Sequence, residues 1–577
     1  MLPLSQEISK VNMKYRFFAV VTAVLLAFTA CSSDDIVETK YAASDRPTLL
    51  LYGYDQANES MFVADTIVRD VKLSVIVNKG VEVADTEYLP LAGDDEVQLF
   101  VAASTLTTDS LDVVRERTIF ARTPASIIVD AEHSKIGGQS EKGQELKVLG
   151  YDAIDDKGRV NRYKVAIGKG EGWVYGKYTV FEKSEATKRY RSDLYDAKHK
   201  AVKNPFGGGA AIGCDFYPYE RPKFENNRMP ESCYSLYLNI SPSVIGNIEK
   251  YIAFAKQTKI NTFVIDIKDN ECPGYKAEAM KIYSPTNYAR AGANKEKMYQ
   301  KAVKRLHEEG FYVVGRITCF KDSYLVKDHP EMAITERSTG KPFKHNKAYW
   351  PSAYDRRVWQ FNVELAKEAV RKFGFNEINF DYVRFPDRMT KIENLINYHN
   401  KYDESKVQAI QRFVQYACDE IHAVGAYVSI DVFGEAANPG YTTAYGQYWP
   451  AISNIADVIC GMPYPDHFSN GYYGVRKPWN HPYEILRAWG ERVQDRQSIT
   501  PTPAIVRTWI QAYNVMRHVD RNGIAYDAEN VEKEIRGLFD AGLDGGYMTW
   551  LSSSNLEKYE KQKGAFCHDY YKEHKKR

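Results

Sequence analysis

Two short runs near the middle of the chain each end in an aspartate that could take part in acid–base chemistry. In Glu377-Ile378-Asn379-Phe380-Asp381, strand alternation puts Glu377, Asn379 and Asp381 on one face and Ile378 and Phe380 on the other. In Tyr427-Val428-Ser429-Ile430-Asp431-Val432, Tyr427, Ser429 and Asp431 share a face. Neighbouring parallel strands lie roughly 4.8 Å apart. Two aspartates at their ends would stand near the roughly 5–5.5 Å separation that suits cleavage of a glycosidic bond with retention. Such a pair divides the work: one carboxylate attacks, and the other holds a proton and donates it. Asp381, beside Arg384 and with Arg316 as a second cation, suits the attacking role. Asp431, with apolar sequence neighbours Ile430, Val432 and Phe433, suits the proton-bearing role, and Glu435 four residues on is the rival acid.

Other polar and aromatic residues leave the ends of similar apolar runs. Asp266, Lys268 and Asp269 close Val264-Ile265-Asp266-Ile267-Lys268-Asp269, and Arg316 lies in Tyr312–Thr318. Tyr464, Asp466 and His467 follow another run, Arg507 and Gln511 a further one, and Trp550 falls in the last. Asp266, Lys268, Arg316, Arg384, Glu435, Tyr464, His467, Arg507, Gln511 and Trp550 are the expected substrate contacts. Trp350, Trp449, Trp509 and Trp550 are candidates for stacking on sugar rings. No His-Glu-x-x-His or comparable spacing appears, so no catalytic metal and no cofactor are expected.

The elements that must position these residues form a repeat. Eight strand candidates run through Ser235–Ile240, Asn261–Lys268, Tyr312–Thr318, Glu377–Val383, Tyr427–Val432, Val458–Tyr464, Thr500–Val506 and Gly545–Leu551. Amphipathic stretches between them include Lys295–Gly310, Asp355–Gly374, Glu404–Gly425, Pro482–Asp495 and Ala528–Gly542, four of which stop at glycine. This alternation predicts an α/β fold, a (β/α)8 TIM barrel preceded by two small all-β modules. Its chemistry is expected at the carboxyl ends of the strands. No G-x-G-x-x-G follows the first strand, which disfavours dinucleotide binding.

The barrel region resembles the bacterial "putative glycosyl hydrolase" domain family, an amylase-like barrel family. The resemblance runs through Val264–Asp269, Gly315-Arg316-Ile317, Phe320-Lys321-Asp322 and His329-Pro330-Glu331. It continues through Glu377–Asp387, Asp431-Val432-Phe433-Gly434, Gly446-Gln447, Met462–Pro465, Pro482-Tyr483-Glu484 and Arg507–Gln511. It implies hydrolysis of O-glycosyl bonds, with a nucleophile at strand 4 and an acid at strand 5. The chain departs from the amylase plan in two places. Asn379 stands where that plan has an arginine, and Asp431 stands where it has a glutamate.

At the N-terminus a basic start, Met13-Lys14-Tyr15-Arg16, precedes an apolar stretch from Phe17 to Phe28, too short to span a bilayer, and then Thr29-Ala30-Cys31. This resembles a bacterial lipoprotein signal, which implies acylation of Cys31 and an outer-membrane lipoprotein facing the periplasm or the cell surface. The segment Gly172-Trp173-Val174-Tyr175-Gly176-Lys177-Tyr178 resembles the last strands of a bacterial SH3-like domain. The expected organisation is a signal peptide over 1–31, a tether over 32–45, an all-β module over 46–116 and an SH3-like module over 117–182. A linker over 183–212, the barrel over 213–556 and a charged tail over 557–577 complete it.

The 77 basic and 75 acidic side chains nearly cancel, so no nucleic-acid footprint exists. The seven cysteines besides Cys31 lack metal or disulfide spacing. The reading is thus a lipid-anchored hydrolase with a polysaccharide or cell-wall glycan as partner. A non-catalytic glycan- or peptidoglycan-binding surface lipoprotein is the alternative, and a transglycosylase a third.

Overall fold

The computed structural model describes residues 34–43, 48–93, 97–114, 117–155, 157–190, 213–270, 272–389, 391–438 and 444–576. The signal segment with Cys31 and most of the expected linker lie outside them. The chain divides into two compact units, residues 1–123 with 140–187, and residues 124–139 with 188–577.

The first unit is all-β. Its N-terminal part holds a five-stranded sheet, in which Thr48–Asp55 pairs antiparallel with Ser60–Val68, and a three-stranded sheet. Ala42, Leu49, Leu51, Leu73, Val75, Leu89 and Val101 form the core between strands. The expected tether proves partly folded. Val37–Ala42 pairs with Lys72–Ile76, because its alternation buries Ala42 in this core. The second part of the unit pairs Glu145–Tyr151 with Arg162–Ile167, and the latter with Gly170–Tyr175. Arg162 lies over the faces of Trp173 and Tyr175 there, 5.7 and 5.9 Å from the ring centres.

The second unit carries the barrel. Its strands are β1 (Cys233–Leu238), β2 (Thr262–Asp269), β3 (Tyr312–Thr318), β4 (Glu377–Asp381), β5 (Tyr427–Phe433), β6 (Val458–Met462), β7 (Ile505–Val506 continued by Thr508–Gln511) and β8 (Gly546–Trp550). Each pairs in parallel with the next, and β8 pairs with β1, so the sheet closes. Both faces of these strands are buried, which is why they read as near-continuous apolar runs. Helices between the strands include α1 (Ile248–Ala255), α2 (Lys295–Glu308), α3 (Arg356–Phe373), α4 (Lys406–His422), α5 (Trp449–Ser453), α6 (Pro482–Ser498) and α7 (Ala528–Asp540), with α8 (Leu556–Gln562) after β8.

Local chemistry sets the helix ends. The Asp355 side chain accepts from the Arg357 amide at 2.9 Å to start α3, and Gly374, at φ 80°, ends it by donating to the Val370 carbonyl. Ser405 and Gln408 form a reciprocal capping box on α4.

Two expectations shift. β7 begins at Ile505 rather than Thr500, because residues 500–504 carry Pro501 and Pro503, which cannot donate to a ladder. The C-terminal residues do not hang free either. Tyr559, Phe566 and Tyr570 are buried, Tyr559 Oη donates to the Tyr237 carbonyl at 2.9 Å, and the Lys259 amide donates to Phe566 O at 2.7 Å. Their aromatic rings, spaced along α8 and the turns after it, cover the outside of β1 and β8.

Barrel closure depends on one small residue. Gly546 opens β8 at φ 101°, and a Cβ there would fall 2.0 Å from the Cys233 carbonyl oxygen across the β8–β1 ladder. Gly546→Ala should cost about 3 kcal/mol or more, read as a lower urea midpoint. An unchanged midpoint would show that β1 and β8 are not locked by this contact.

Candidate active site

The inward positions of the barrel strands build a polar floor at their carboxyl ends. Its centre is Arg316 of β3, 2% exposed. Its Nη1 donates to Asp266 Oδ1 of β2 at 2.7 Å and to Asp269 Oδ1 at 3.3 Å; its Nη2 donates to Asp381 Oδ2 of β4 at 2.5 Å. Tyr237 Oη of β1 donates to the other Asp266 oxygen, and Trp550 of β8 lies with its ring 5.2 Å from the guanidinium. Asp381 Oδ1 accepts from the Tyr382 amide at 2.6 Å.

That last contact follows from an unusual backbone. Tyr382 has φ 52°, a left-handed conformation costing an aromatic residue about 1–2 kcal/mol. Trp350 packs against its ring, and Lys321 lies 5.0 Å over it. The turn brings Asp381 to the end of the apolar layer and hands its backbone donor to the carboxylate.

Beside it on β5, Asp431 is 1% exposed. Its Oδ1 accepts from Asn379 Nδ2 and from Trp509 Nε1, both at 2.8 Å. Its Oδ2 is sealed from solvent with no hydrogen-bond partner among the described residues. Burial, then the negative charge of Asp381, hold its carboxyl well above the usual carboxylate range, against the opposing pull of Arg316, Asn379 and Trp509. Desolvation thus favours the protonated form of Asp431. Asp266 behaves differently. Burial pushes its carboxyl up to about 6; Arg316 opposes this, Asp269 adds to it and the Tyr237 hydrogen bond opposes it.

Tyr464, directly after β6, belongs to the same cluster as Tyr237, Trp509 and Trp550, and its phenol feels the charges of Asp431, Asp381 and Arg316. The exposed His467 lies against the Tyr464 ring, 5.2 Å between centres. Glu435 sits half-buried on the turn Gly434–Ala437 that follows β5. Burial pushes its carboxyl up to about 7, Asp387 adding and Arg384 opposing.

The structure thus brings Asp266, Arg316, Asp381, Asp431, Tyr464 and Trp550 to one mouth, with His467 against Tyr464 and Glu435 on the turn that follows β5. Four of the expected substrate contacts need correction. Lys268 does not face the mouth. The register slips from Asp266↔Arg316 to Lys268↔Ile317, a bulge that turns Lys268 outward into a wholly buried ion pair with Asp322 at 3.0 Å. The same slip brings Asp269 to Arg316 in its place.

Arg507 lies at the opposite end, donating to Glu377 Oε1 at 2.7 Å, because β7 starts later than its apolar pattern suggested. Gln511 is buried in the loop support, accepting from the Asp466 amide and donating to the Tyr513 carbonyl. Arg384 does not pair with Asp381. It is held between Phe433, Trp350 and Tyr382 at 4.4–5.0 Å and bonds Asp387 at 3.4 Å.

Trp350, Trp449 and Trp509 are core residues rather than platforms; only Trp550 of the four is partly exposed. Tyr237 and the donor role of Trp509 were missed, and Asp269, read only as a strand-end residue, proves a partner of Arg316. Tyr237 shares inward parity with Cys233 and Ser235, so alternation in β1 could have found it. Among the described residues no group of three His, Cys, Asp or Glu side chains forms a metal site.

A closed barrel with a clamped aspartate and a buried carboxyl group of raised proton affinity at its carboxyl mouth is the arrangement of a glycoside-hydrolase-type enzyme. Residues 235–556 match the family described as "Putative glycosyl hydrolase domain", more than half of the 577 residues, and the chain belongs to that family. A hypothetical protein from Ruminiclostridium thermocellum shares 30% identity over 34% of this chain and 97% of its own, with a TM-score of 0.29. The glycoside hydrolase domain of PgaB (BpsB) from Bordetella bronchiseptica shares 12% identity over 59% of this chain and all of its own, with a TM-score of 0.42. A Flavobacterium johnsoniae chitobiase shares 10% over 59% of this chain and 52% of its own, with a TM-score of 0.34. No curated protein matches the chain.

The environment of Asp266 has a consequence for stability. Its folded pKa of about 6 exceeds the ordinary 3.8, so its contribution is full below pH 4 and is lost as pH rises through 6. Asp266→Asn lacks that loss. Its stability relative to wild type should rise by about 3 kcal/mol between pH 4 and pH 7 in urea titrations. A pH-independent difference would mean that the carboxyl is not raised.

Proposed function

We propose that this protein is a lipid-anchored glycoside hydrolase that cleaves a polysaccharide or cell-wall glycan with retention of anomeric configuration. The observation that carries this reading is the pairing at the mouth: Asp381, clamped by Arg316 and the Tyr382 amide, beside Asp431, whose carboxyl burial holds above the usual range. A clamped carboxylate has fixed lone pairs and excluded water, which suits attack on an anomeric carbon. The roughly 4.8 Å spacing of neighbouring parallel strands supports a carboxyl separation near the roughly 5–5.5 Å of retaining enzymes. Trp550, partly exposed, supplies an apolar face on which a sugar ring can stack.

The signal-like N-terminus, ending at Cys31, supports an outer-membrane lipoprotein facing the periplasm or the cell surface. The Trp173-centred strands support an SH3-like module that could hold the enzyme near a cell-wall glycan.

Asp381→Asn should abolish reducing-end release from the polysaccharide that wild type cleaves, by at least about 10⁴-fold, while glycan binding persists. NMR of the first-formed product should show retention. Inversion would overturn the role of Asp381 as nucleophile, and binding without any wild-type turnover would leave the protein a glycan-binding lipoprotein. In cells, Cys31→Ala should lose incorporation of labelled palmitate and release the chain from the membrane fraction. Unchanged labelling would place the anchor elsewhere.

A further inference from the structure

We infer that Asp269 seats the sugar that Asp381 attacks, by accepting a hydrogen bond from one of its ring hydroxyls. This rests on the glycoside hydrolase reading and names the class of sugar taken: one that presents a hydroxyl, not a carboxylate or a sulfate, at that position.

Three carboxylates share the Arg316 guanidinium, and they are not equally open. The Asp266 side chain is 1% exposed, that of Asp381 9% and that of Asp269 30%. Asp266 uses both oxygens, one for Arg316 and one for Tyr237 Oη. Asp381 also uses both, for Arg316 and for the Tyr382 amide. Asp269 uses only Oδ1, which accepts from Arg316 Nη1 at 3.3 Å and from Asn270 Nδ2 at 3.2 Å. Its Oδ2 has no hydrogen-bond partner among the described residues and is not sealed from solvent as Asp431 Oδ2 is.

That open oxygen lies close to the attacking group. Arg316 Nη1 holds Asp269 while Nη2 holds Asp381, and the two ends of a guanidinium form one rigid plane. The bound oxygens of the two aspartates therefore stand no further apart than one sugar residue reaches. The backbone is fixed there as well. After Asp269 the chain turns back through Asn270, at φ 41°, to pair Asp269 with Cys272. The Asn270 amide donates to Thr318 Oγ1 at 2.7 Å, and Thr318 is the ladder partner of Asp381. The bulge in β2 is what brings Asp269 to this level, as bulges beside active sites re-aim side chains.

The chemistry of the ligand follows from the acceptor. A carboxylate offers lone pairs and no donor, so a hydroxyl satisfies it. A uronic carboxylate or a sulfate would bring like charge and no proton, and would be turned away. Trp550, partly exposed, has its ring 5.2 Å from the same guanidinium, so the stacking face and the open acceptor flank one cation.

The test uses the full-length protein and a panel of 4-nitrophenyl pyranosides. To the one that wild type cleaves best are added its monodeoxy analogues, one for each ring hydroxyl, and its uronide. Wild type should lose about 10–100-fold in kcat/KM on one deoxy analogue, the worth of a hydrogen bond to a charged group. Asp269→Ala should lose as much on the parent glycoside and nothing further on that analogue, while on the other analogues the two losses add. Asp269→Asn keeps an oxygen for Arg316 and puts a donor where Oδ2 stood. It should fold like wild type by urea midpoint, show the same non-additivity to a smaller extent, and gain on the uronide relative to the parent.

A residue that only neutralises Arg316 would behave otherwise. Equal losses by both variants on the parent and on every deoxy analogue would overturn the inference, as would wild-type kcat/KM in Asp269→Ala. Asp381→Asn, run in parallel, separates the two levels. Equal losses in an enzyme that Asp381→Asn inactivates sink the role of Asp269 and leave the hydrolase standing. Unimpaired turnover by Asp381→Asn, or no wild-type turnover on any glycoside, sinks the hydrolase reading and this inference with it.

Discussion

The barrel mouth is organised by one desolvated cation. A guanidinium as buried as that of Arg316 would be strongly unfavourable alone, because taking a charge out of water costs several kcal/mol even after relaxation. Three carboxylates, from Asp266, Asp269 and Asp381, supply the compensation. Each must arrive from a different point in the sheet: one inside β2, one at its bulged end, one at the end of β4. The register of β2, β3 and β4 and the bulge after Asp266 all serve that demand. So does the left-handed turn at Tyr382, which orients Asp381 by its own backbone amide.

That charge cluster separates the acids of the site by depth. Asp266 shares the guanidinium directly and is lifted only to about 6. Asp431 receives neutral amide and indole donors instead, and burial and the Asp381 charge hold its carboxyl well above the ordinary range. Glu435 stands outside this layer, where burial is incomplete and Asp387 and Arg384 act in opposite directions. Three carboxyl groups of similar intrinsic acidity thus have three different proton affinities, and the cause in each case is position relative to Arg316 and to water.

Not every buried ion pair in the barrel belongs to this chemistry. Arg507 with Glu377, and Tyr312 donating to the same carboxylate at 3.1 Å, close the amino end of the barrel interior. Lys268 with Asp322 ties β2 to the helical turn Ser323–Asp328, whose start Asp322 caps. These pairs are chemically like the Arg316 cluster. They differ in being sealed at 0% exposure, so no substrate can reach them.

Much of this architecture was legible in the residues. Apolar runs of strand length, amphipathic stretches ending in glycine and their regular alternation are local signals, and they determine the barrel and the inward parity of Asp381, Asp431 and Asp266. The end of the strand pattern likewise marks the chemical face. What alternation could not give is anything that breaks its own period. A bulge reversed Lys268 and Asp269, and two prolines delayed β7 and sent Arg507 to the far end. The partner of Asp381 was equally hidden, since Arg384 is nearest in sequence while Arg316 is nearest in space, and aromatic rings drawn from separated loops decided between them. Proton affinity also waited on the folded state, because burial by distant residues such as Trp509 acts across the barrel and leaves no mark on the residues beside Asp431.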